Sequence, residues 1–308
     1  MPRTNFDQLL EAGVHFGHLK RKWNPAMAPY IFGEKKGIHI IDLNKTIIKL
    51  DEAANAMRQI AKSGKKVMFV ATKKQAKYAV AERVEAINMP YVTERWSGGM
   101  LTNFATIRKA IRKMSQIDKM ETDGTFGTLS KRERLQISRQ RAKLEKNLGS
   151  IADLSRLPAA VFVVDIMKEH IAVAEAKKLG IPIFAMVDTN SDPRKVDFAI
   201  PANDDATKSI TLVMDTLCQA IAEGLSERKT DKDKKAAVEA KKAKESEEAA
   251  KAKSEADAEA KKAASEAKKA KAEKVETTEA KAEAAPKAKV EKATEEKAEE
   301  TPSEDAKK

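Results

Sequence analysis

The chain has 308 residues, with 59 Lys and Arg against 47 Asp and Glu, a net charge of +12. Such a surplus points to a polyanionic partner, either nucleic acid or an anionic membrane surface. No apolar run approaches the roughly 18 residues of a spanning helix, so no membrane partner is expected. The N-terminus lacks the apolar core of a secretory signal, and the lone Cys218 cannot close an internal disulfide. The expectation is a cytoplasmic protein.

The charge is not evenly spread. Residues 231–308 hold 21 Lys and 21 acidic residues, so the whole +12 belongs to residues 1–230. That last stretch is mostly Ala, Lys and Glu, with only Val238, Val275 and Val290 as larger apolar residues. Its helix propensity is good, but it has no face to bury. Residues 229–308 are therefore expected to be a low-complexity, disordered tail without fixed contacts.

In chain order, residues 4–12 predict a short helix capped by Thr4, with Asp7 completing an approximate capping box. HFGHLKRKWNPAMAPYIFG is aromatic, basic and rich in turn residues, and reads as an ordered but irregular segment. IHIID (38–42) predicts a short buried strand. Leu43 to Lys62 has helical spacing, with Ile47, Leu50, Ala54, Met57 and Ile60 on one face, and Ser63-Gly64 ends it. KVMFVA (66–71) predicts a strand, Thr72 a cap, Lys73 to Asn88 a helix, and Pro90 to Thr93 another short strand. The alternation returns with AAVFVVD (159–165), a helix near Lys168–Leu179, PIFAMVD (182–188), DFAIP (197–201) and a helix from about Asp205 to Gly224. Apolar strands alternating with amphipathic helices predict a doubly wound α/β domain, its parallel sheet covered by helices on both faces. Residues 1–102 and 152–228 are assigned to it.

Residues 103–151 interrupt this alternation. Phe104, Ile107, Ile111, Met114 and Ile117 step by three and four, as do Ile137, Leu144, Leu148 and Ile151 after a break at residues 123–127. The segment reads as an inserted antiparallel helical hairpin of coiled-coil type. Leu101 to Leu148 carries 12 Lys or Arg against 5 Asp or Glu. A solvated helical face and direct phosphate contact are balanced readings of that bias.

Catalytic motifs are missing. Asp42-Leu43-Asn44-Lys45 stands after the first strand in place of a glycine-rich fingerprint, and there is neither a Walker lysine loop nor an HExxH pair. No enzyme activity, cofactor or small-molecule substrate is expected. His15 and His18 lack the further ligands that a structural zinc site needs, so no metal is assigned to them. Asp188, Asp192, Asp204 and Asp205, with Asn190 and Asn203, fall at the C-terminal ends of the last strands. Turn and helix capping is preferred over a hard cation for this cluster, and an all-oxygen set would suit magnesium or calcium.

RNA signals accumulate instead. His18 to Asn24 interleaves Lys20, Arg21 and Lys22 with Trp23, whose indole can stack on a base or pack beneath the backbone. Lys73 and Lys74 stand at a predicted helix N-terminus, which favours an anion. Arg95-Trp96-Ser97-Gly98-Gly99 offers glycines where backbone can approach RNA.

Six ordered segments, LLEAGVHFGH, KRKWNPAMAPYIFGEKKGIHIIDL, FVATKKQA, ERWSGGMLTNF, VDTNSDP and IPANDDA, resemble the bacterial small-subunit ribosomal protein S-two family. The resemblance covers nearly all of residues 1–225, and the tail departs from it. It implies a five-stranded parallel sheet, a protruding coiled-coil hairpin, and a place on the solvent side of the small subunit where head and body meet. It further implies contact with small-subunit rRNA and neighbouring ribosomal proteins, and help in recruiting the neighbour that captures mRNA. An RNA-facing role is carried over to His15, His18, Lys20, Arg21, Lys22, Lys73, Lys74 and Arg95. The basic hairpin residues Arg108, Lys109, Arg112, Arg139 and Arg141 join them. Two rival readings stand beside it: an enzyme acting on a phosphorylated metabolite, which requires a polar pocket at the strand C-terminal ends, and a general single-strand RNA-binding or adhesion-type protein.

Overall fold

Fully apolar strands exclude water from both faces of a sheet, and this chain supplies three of them in sequence order. In the computed structural model, which describes residues 3–234, an N-terminal helix α1 (Phe6–Glu11) leads to β1 (Phe16–Leu19), β2 (Ile31–Lys35) and β3 (Ile38–Ile41). Then come α2 (Leu43–Lys62), β4 (Val67–Val70), α3 (Lys74–Ala86) and β5 (Tyr91–Val92). The helices α4 (Phe104–Thr122) and α5 (Lys131–Leu148) follow, then β6 (Ala160–Val164), α6 (His170–Lys178), β7 (Ile183–Val187), β8 (Phe198–Pro201) and α7 (207–234).

The larger sheet has the order β5-β4-β6-β7-β8 and is parallel throughout. Every residue of β4, β6 and β7 is buried. Their side chains alternate between two cores, as the two-residue strand period requires. Phe69, Phe162 and Phe184 point into the core shared with α2, α3 and α7. Met68, Val70, Val161, Val163, Ala185 and Val187 enter the core shared with α6 and the base of the α4–α5 pair. The doubly wound expectation therefore holds, helices on both faces included.

IHIID does not belong to that sheet. β3 is instead the centre of a separate antiparallel sheet of order β1-β3-β2. Lys36 and Gly37 both have positive φ, 54° and 75°, and close a two-residue hairpin between Lys35 and Ile38. The segment read as irregular thus contains two short strands. The burial of β3 alternates rather than being continuous, which marks a one-sided sheet.

Caps differ from expectation at two helices. The α1 N-cap is Asn5, whose N–H donates to the Gln8 side chain at 3.3 Å, and Thr4 is buried just outside the helix. Lys73, not Thr72, precedes α3, and the Thr72 hydroxyl bonds to Glu169 instead. α4 and α5 do form a pair of adjacent helices linked by Arg141 on α5 and Asp118 on α4. Ile107, Ile111, Met114 and Ile117 are buried along α4.

α7 does not stop at Gly224. It continues to residue 234, and its Glu227 and Asp231 receive Lys62 at 3.0 and 3.6 Å. Gly224 is a crossing point with α2: a Cβ there would collide with the Arg58 carbonyl oxygen and lie 3.1 Å from the Ala61 Cβ. The expected tail beyond residue 234 lies outside the described residues. Gly224→Ala should destabilise the chain by about 1–3 kcal/mol through overpacking against backbone. Urea unfolding measures this, and an unchanged midpoint would show that the α2–α7 crossing is loose.

Candidate nucleic-acid interface and the strand-end cluster

The larger sheet reverses its strand order between β4 and β6, and the C-terminal ends at such a point form the crevice where doubly wound proteins hold ligands. Here the chain's own side chains fill it. Thr72 donates its N–H to Glu169 Oε1 at 3.1 Å, and Lys168 Nζ reaches the Thr72 carbonyl at 3.2 Å. Lys73 Nζ lies 2.8 Å from Asp204 Oδ1, 2.7 Å from Asp205 Oδ1 and 3.8 Å from Asp165 Oδ2.

The N-terminal segment closes over the same edge. The His18 N–H donates to Thr189 Oγ1 at 2.8 Å, and the Asn24 N–H to the Thr189 carbonyl at 2.8 Å. The Asn203 amide donates to the Gly13 carbonyl at 3.0 Å. β1 can lie this close because Gly17 has no side chain; a Cβ there would be 2.6 Å from Thr189 Cγ2. His18 Nδ1 then stands 2.9 Å from Asp188 Oδ2, and His18 Nε2 3.4 Å from Asp205 Oδ2.

The electrostatics follow from this packing. The Asp188 carboxylate beside it raises the His18 pKa, against the opposing effect of burial. For Lys73, burial is the largest influence and acts to lower the pKa, yet Asp204 and Asp205 together leave it raised. Burial first, then repulsion from Asp188, pushes Asp204 up to about 7 despite Lys73. His15 is held below the ordinary imidazole range by burial, and its Nδ1 has no hydrogen-bond partner.

Capping explains only part of the acidic cluster. Asp192 caps the turn at Arg194, and Asn203 accepts from the N–H groups of Asp205 and Ala206 before α7. Asp188 and Asp204 cap no helix. Each is essentially fully buried, at 1% and 0% exposure. Asp188 Oδ1 accepts from the Thr189 backbone and hydroxyl.

A second buried carboxylate fixes the root of the α4–α5 pair. Glu175, on α6, accepts at Oε1 from the Trp96 indole at 3.1 Å and the Gly99 N–H at 2.7 Å. Its Oε2 accepts from the Leu101 N–H at 3.0 Å, and from the Thr102 N–H and hydroxyl, both at 3.1 Å. Burial is the largest influence on Glu175 and acts to raise its pKa; the donors outweigh it, and the pKa is lowered. The Gly98-Gly99 turn, read from sequence as an approach for RNA, thus gives one of its amides to Glu175.

The candidate RNA-facing residues divide into two sets. His18 and Lys73 are tied into the strand-end cluster, Lys20 pairs with Glu34 at 2.7 Å, and Arg141 pairs with Asp118 and Glu145. Arg21, Lys22, Lys74, Arg95, Arg108, Lys109, Arg112 and Arg139 are exposed and form no ion pair among the described residues. Trp23 is 37% exposed, its ring centroid 5.2 Å from that of His39, so one side packs on protein and the rest faces out. Sequence reading missed Glu169 and Glu175, which carry no motif of their own, and gave no role to Thr189, although it lies in the VDTNSDP segment.

Glu175 makes acid sensitivity a test of this geometry. A lowered carboxyl pKa contributes stability that is present above the unfolded value and lost as pH falls through the folded value. In a Trp23→Phe background, Trp96 fluorescence should hold until the pH drops below the usual glutamate range. Glu175→Gln should remove that transition and cost about 1.5–3 kcal/mol, the scale of hydrogen bonds to a charged group. A Trp96 signal indifferent to both changes would contradict the anchoring role.

The sequence profile of the family described as Ribosomal protein S2 matches residues 9–224. The chain is similar to the small ribosomal subunit protein uS2 of Phocaeicola vulgatus, 73% identical over 232 residues, covering 75% of this chain and 83% of the relative. It is 69% identical over 254 residues to the uS2 protein of Bacteroides fragilis, covering 82% and 91%. The uS2 protein of Porphyromonas gingivalis is 70% identical over 232 residues, covering 75% and 83%.

Proposed function

The chain belongs to the ribosomal protein S2 family, a family of structural proteins of the small ribosomal subunit and not of enzymes, and from that premise we propose that it binds small-subunit rRNA through cations its own fold leaves unpaired. Arg21 and Lys22 after β1, Lys74 at the start of α3, Arg95, and Arg108, Lys109, Arg112 and Arg139 on the helical pair supply the phosphate contacts. Residues 103–151 act as a basic coiled-coil hairpin, and residues 1–102 with 152–228 form the rigid body that holds it. The single observation that carries this reading is the sorting of the cations. Within one positively charged chain, those named stay exposed while His18, Lys20, Lys73 and Arg141 find internal carboxylates.

In this reading the protein occupies the solvent side of the small subunit at the head–body junction, in the cytoplasm. Neighbouring small-subunit proteins are its further partners, and it helps to recruit the neighbour that captures mRNA. Those placements rest on the family resemblance. The enzyme alternative has no physical support at the strand ends, where Glu169, Lys73 and His18 take up the crevice. The groove lined by Ile166, Met167, His170, Val173 and Lys177 brings no Ser, Thr, Cys or carboxylate to its lining.

Phosphate neutralisation releases counterions, so affinity must fall steeply with salt. Filter binding of small-subunit rRNA across a salt series should give a steep negative slope of log affinity on log salt. Arg108→Ala with Arg112→Ala should flatten it by about 1.5 units, the loss of two phosphate contacts. Lys20→Ala, which removes an already paired cation, should change it much less. A flat wild-type dependence would overturn the proposal.

A further inference from the structure

We propose that Tyr78 on α3 stacks on an unpaired base of small-subunit rRNA, with Lys74 beside it on a flanking phosphate. This rests on the rRNA-binding reading above and adds to it a single-stranded target. α3 buries Ala76, Ala79, Val80 and Val84 and turns Tyr78 outward. At 85% exposure it is the most exposed large apolar or aromatic side chain among the described residues. No other ring packs on it there.

A lone exposed ring would need no explanation. The independent observation is the charge that leads to it. Glu94 takes Lys77 of α3 at 3.2 Å and Lys146 of α5 at 3.5 Å, so one carboxylate ties the last turn of α5 to α3. Arg139, Lys143 and Lys146 step by four and three along α5, share one face and are exposed. The exposed Arg95 follows Glu94 directly. The cationic stripe of the helical pair therefore continues onto α3. There Lys74, exposed and without an ion pair among the described residues, stands one turn before Tyr78. Glu82, one turn after Tyr78, is engaged by Arg83 at 3.4 Å.

The surroundings decide the class of partner. Cations alone hold duplex and single strand alike, because both present phosphates. A solvent-facing aromatic ring gains from a base whose face is free, and only unpaired nucleotides offer one. Every base has such a face, so Tyr78 adds affinity without reading sequence. A protein partner fits less well. The core of a protein interface is depleted of charge, whereas the exposed neighbours of Tyr78 on its helix are Lys74, Gln75 and Glu82.

The test uses the full chain and small-subunit rRNA in filter binding across a salt series. Tyr78→Ala should weaken binding by about tenfold, the scale of one lost base stack. The loss should be the same at every salt concentration, because no phosphate contact goes with it. Tyr78→Phe, which keeps the ring, should bind as the parent does. Tyr78→Trp in the Trp23→Phe background should show fluorescence quenching by rRNA and none by a fully paired RNA duplex. The proposal is overturned if Tyr78→Ala binds like the parent, if Tyr78→Phe is as weak as Tyr78→Ala, or if the duplex quenches as rRNA does. Cross-linking of residue 78 to a protein rather than a nucleotide in assembled subunits overturns it too. A flat parental salt dependence sinks the rRNA-binding reading itself, whereas a steep slope with an indifferent Tyr78→Ala sinks only the stacking site.

Discussion

The helical pair leaves the α/β body through one loop, and that loop is held by one carboxylate. Glu175 accepts from three backbone amides, an indole and a hydroxyl between Trp96 and Thr102. A buried anion without donors would be intolerable, and five donors without an anion would be equally unsatisfied, so each side fixes the other. Trp96, Met100 and Leu101 are locked into the core beneath the sheet as a result, together with Ile107 and Leu148 at the root of the pair. Wherever the basic helices point, the direction is set here.

The strand-end cluster is the second constraint. Doubly wound sheets gather charge at their C-terminal edge because loops and helix starts meet there. In this chain the charges turn inward. Thr189, Asn203 and Gly17 draw the N-terminal segment across the edge, and His18 and Lys73 are consumed by Asp188, Asp204 and Asp205. The same edge that serves nucleotides in other proteins serves here to close the molecule. A doubly wound sheet closed in this way carries no open ligand crevice at its switch point, so the fold alone does not imply a nucleotide site.

Much of this was legible in the sequence. The runs VMFV, AVFVV and IFAMV are too apolar to be anything but buried strands, and the helical spacing of Ile107, Ile111 and Met114 marked the inserted pair. What escaped was everything that depends on long-range pairing. Lys73 reads as a free cation until Asp204, 131 residues away, is brought beside it. Glu175 lies in an Ala- and Lys-rich helix where a surface carboxylate is the natural reading. Gly224 has the look of a helix end, yet it marks a close crossing that only the packing of α2 reveals. The three-stranded antiparallel sheet was hidden because its strands are short and half-buried, and because Lys36-Gly37 is a weak turn signal beside Asn-Gly or Asp-Gly.

The central claim is that unpaired cations face RNA while paired ones do not. Chemical acetylation of lysine amines, compared between the free chain and the chain in assembled small subunits, tests it most directly. Lys22, Lys74 and Lys109 should lose reactivity on assembly, while the paired Lys49 and Lys62 should change little. Continued reactivity of Lys22 and Lys109, with protection appearing on Lys49 and Lys62 instead, would contradict the account.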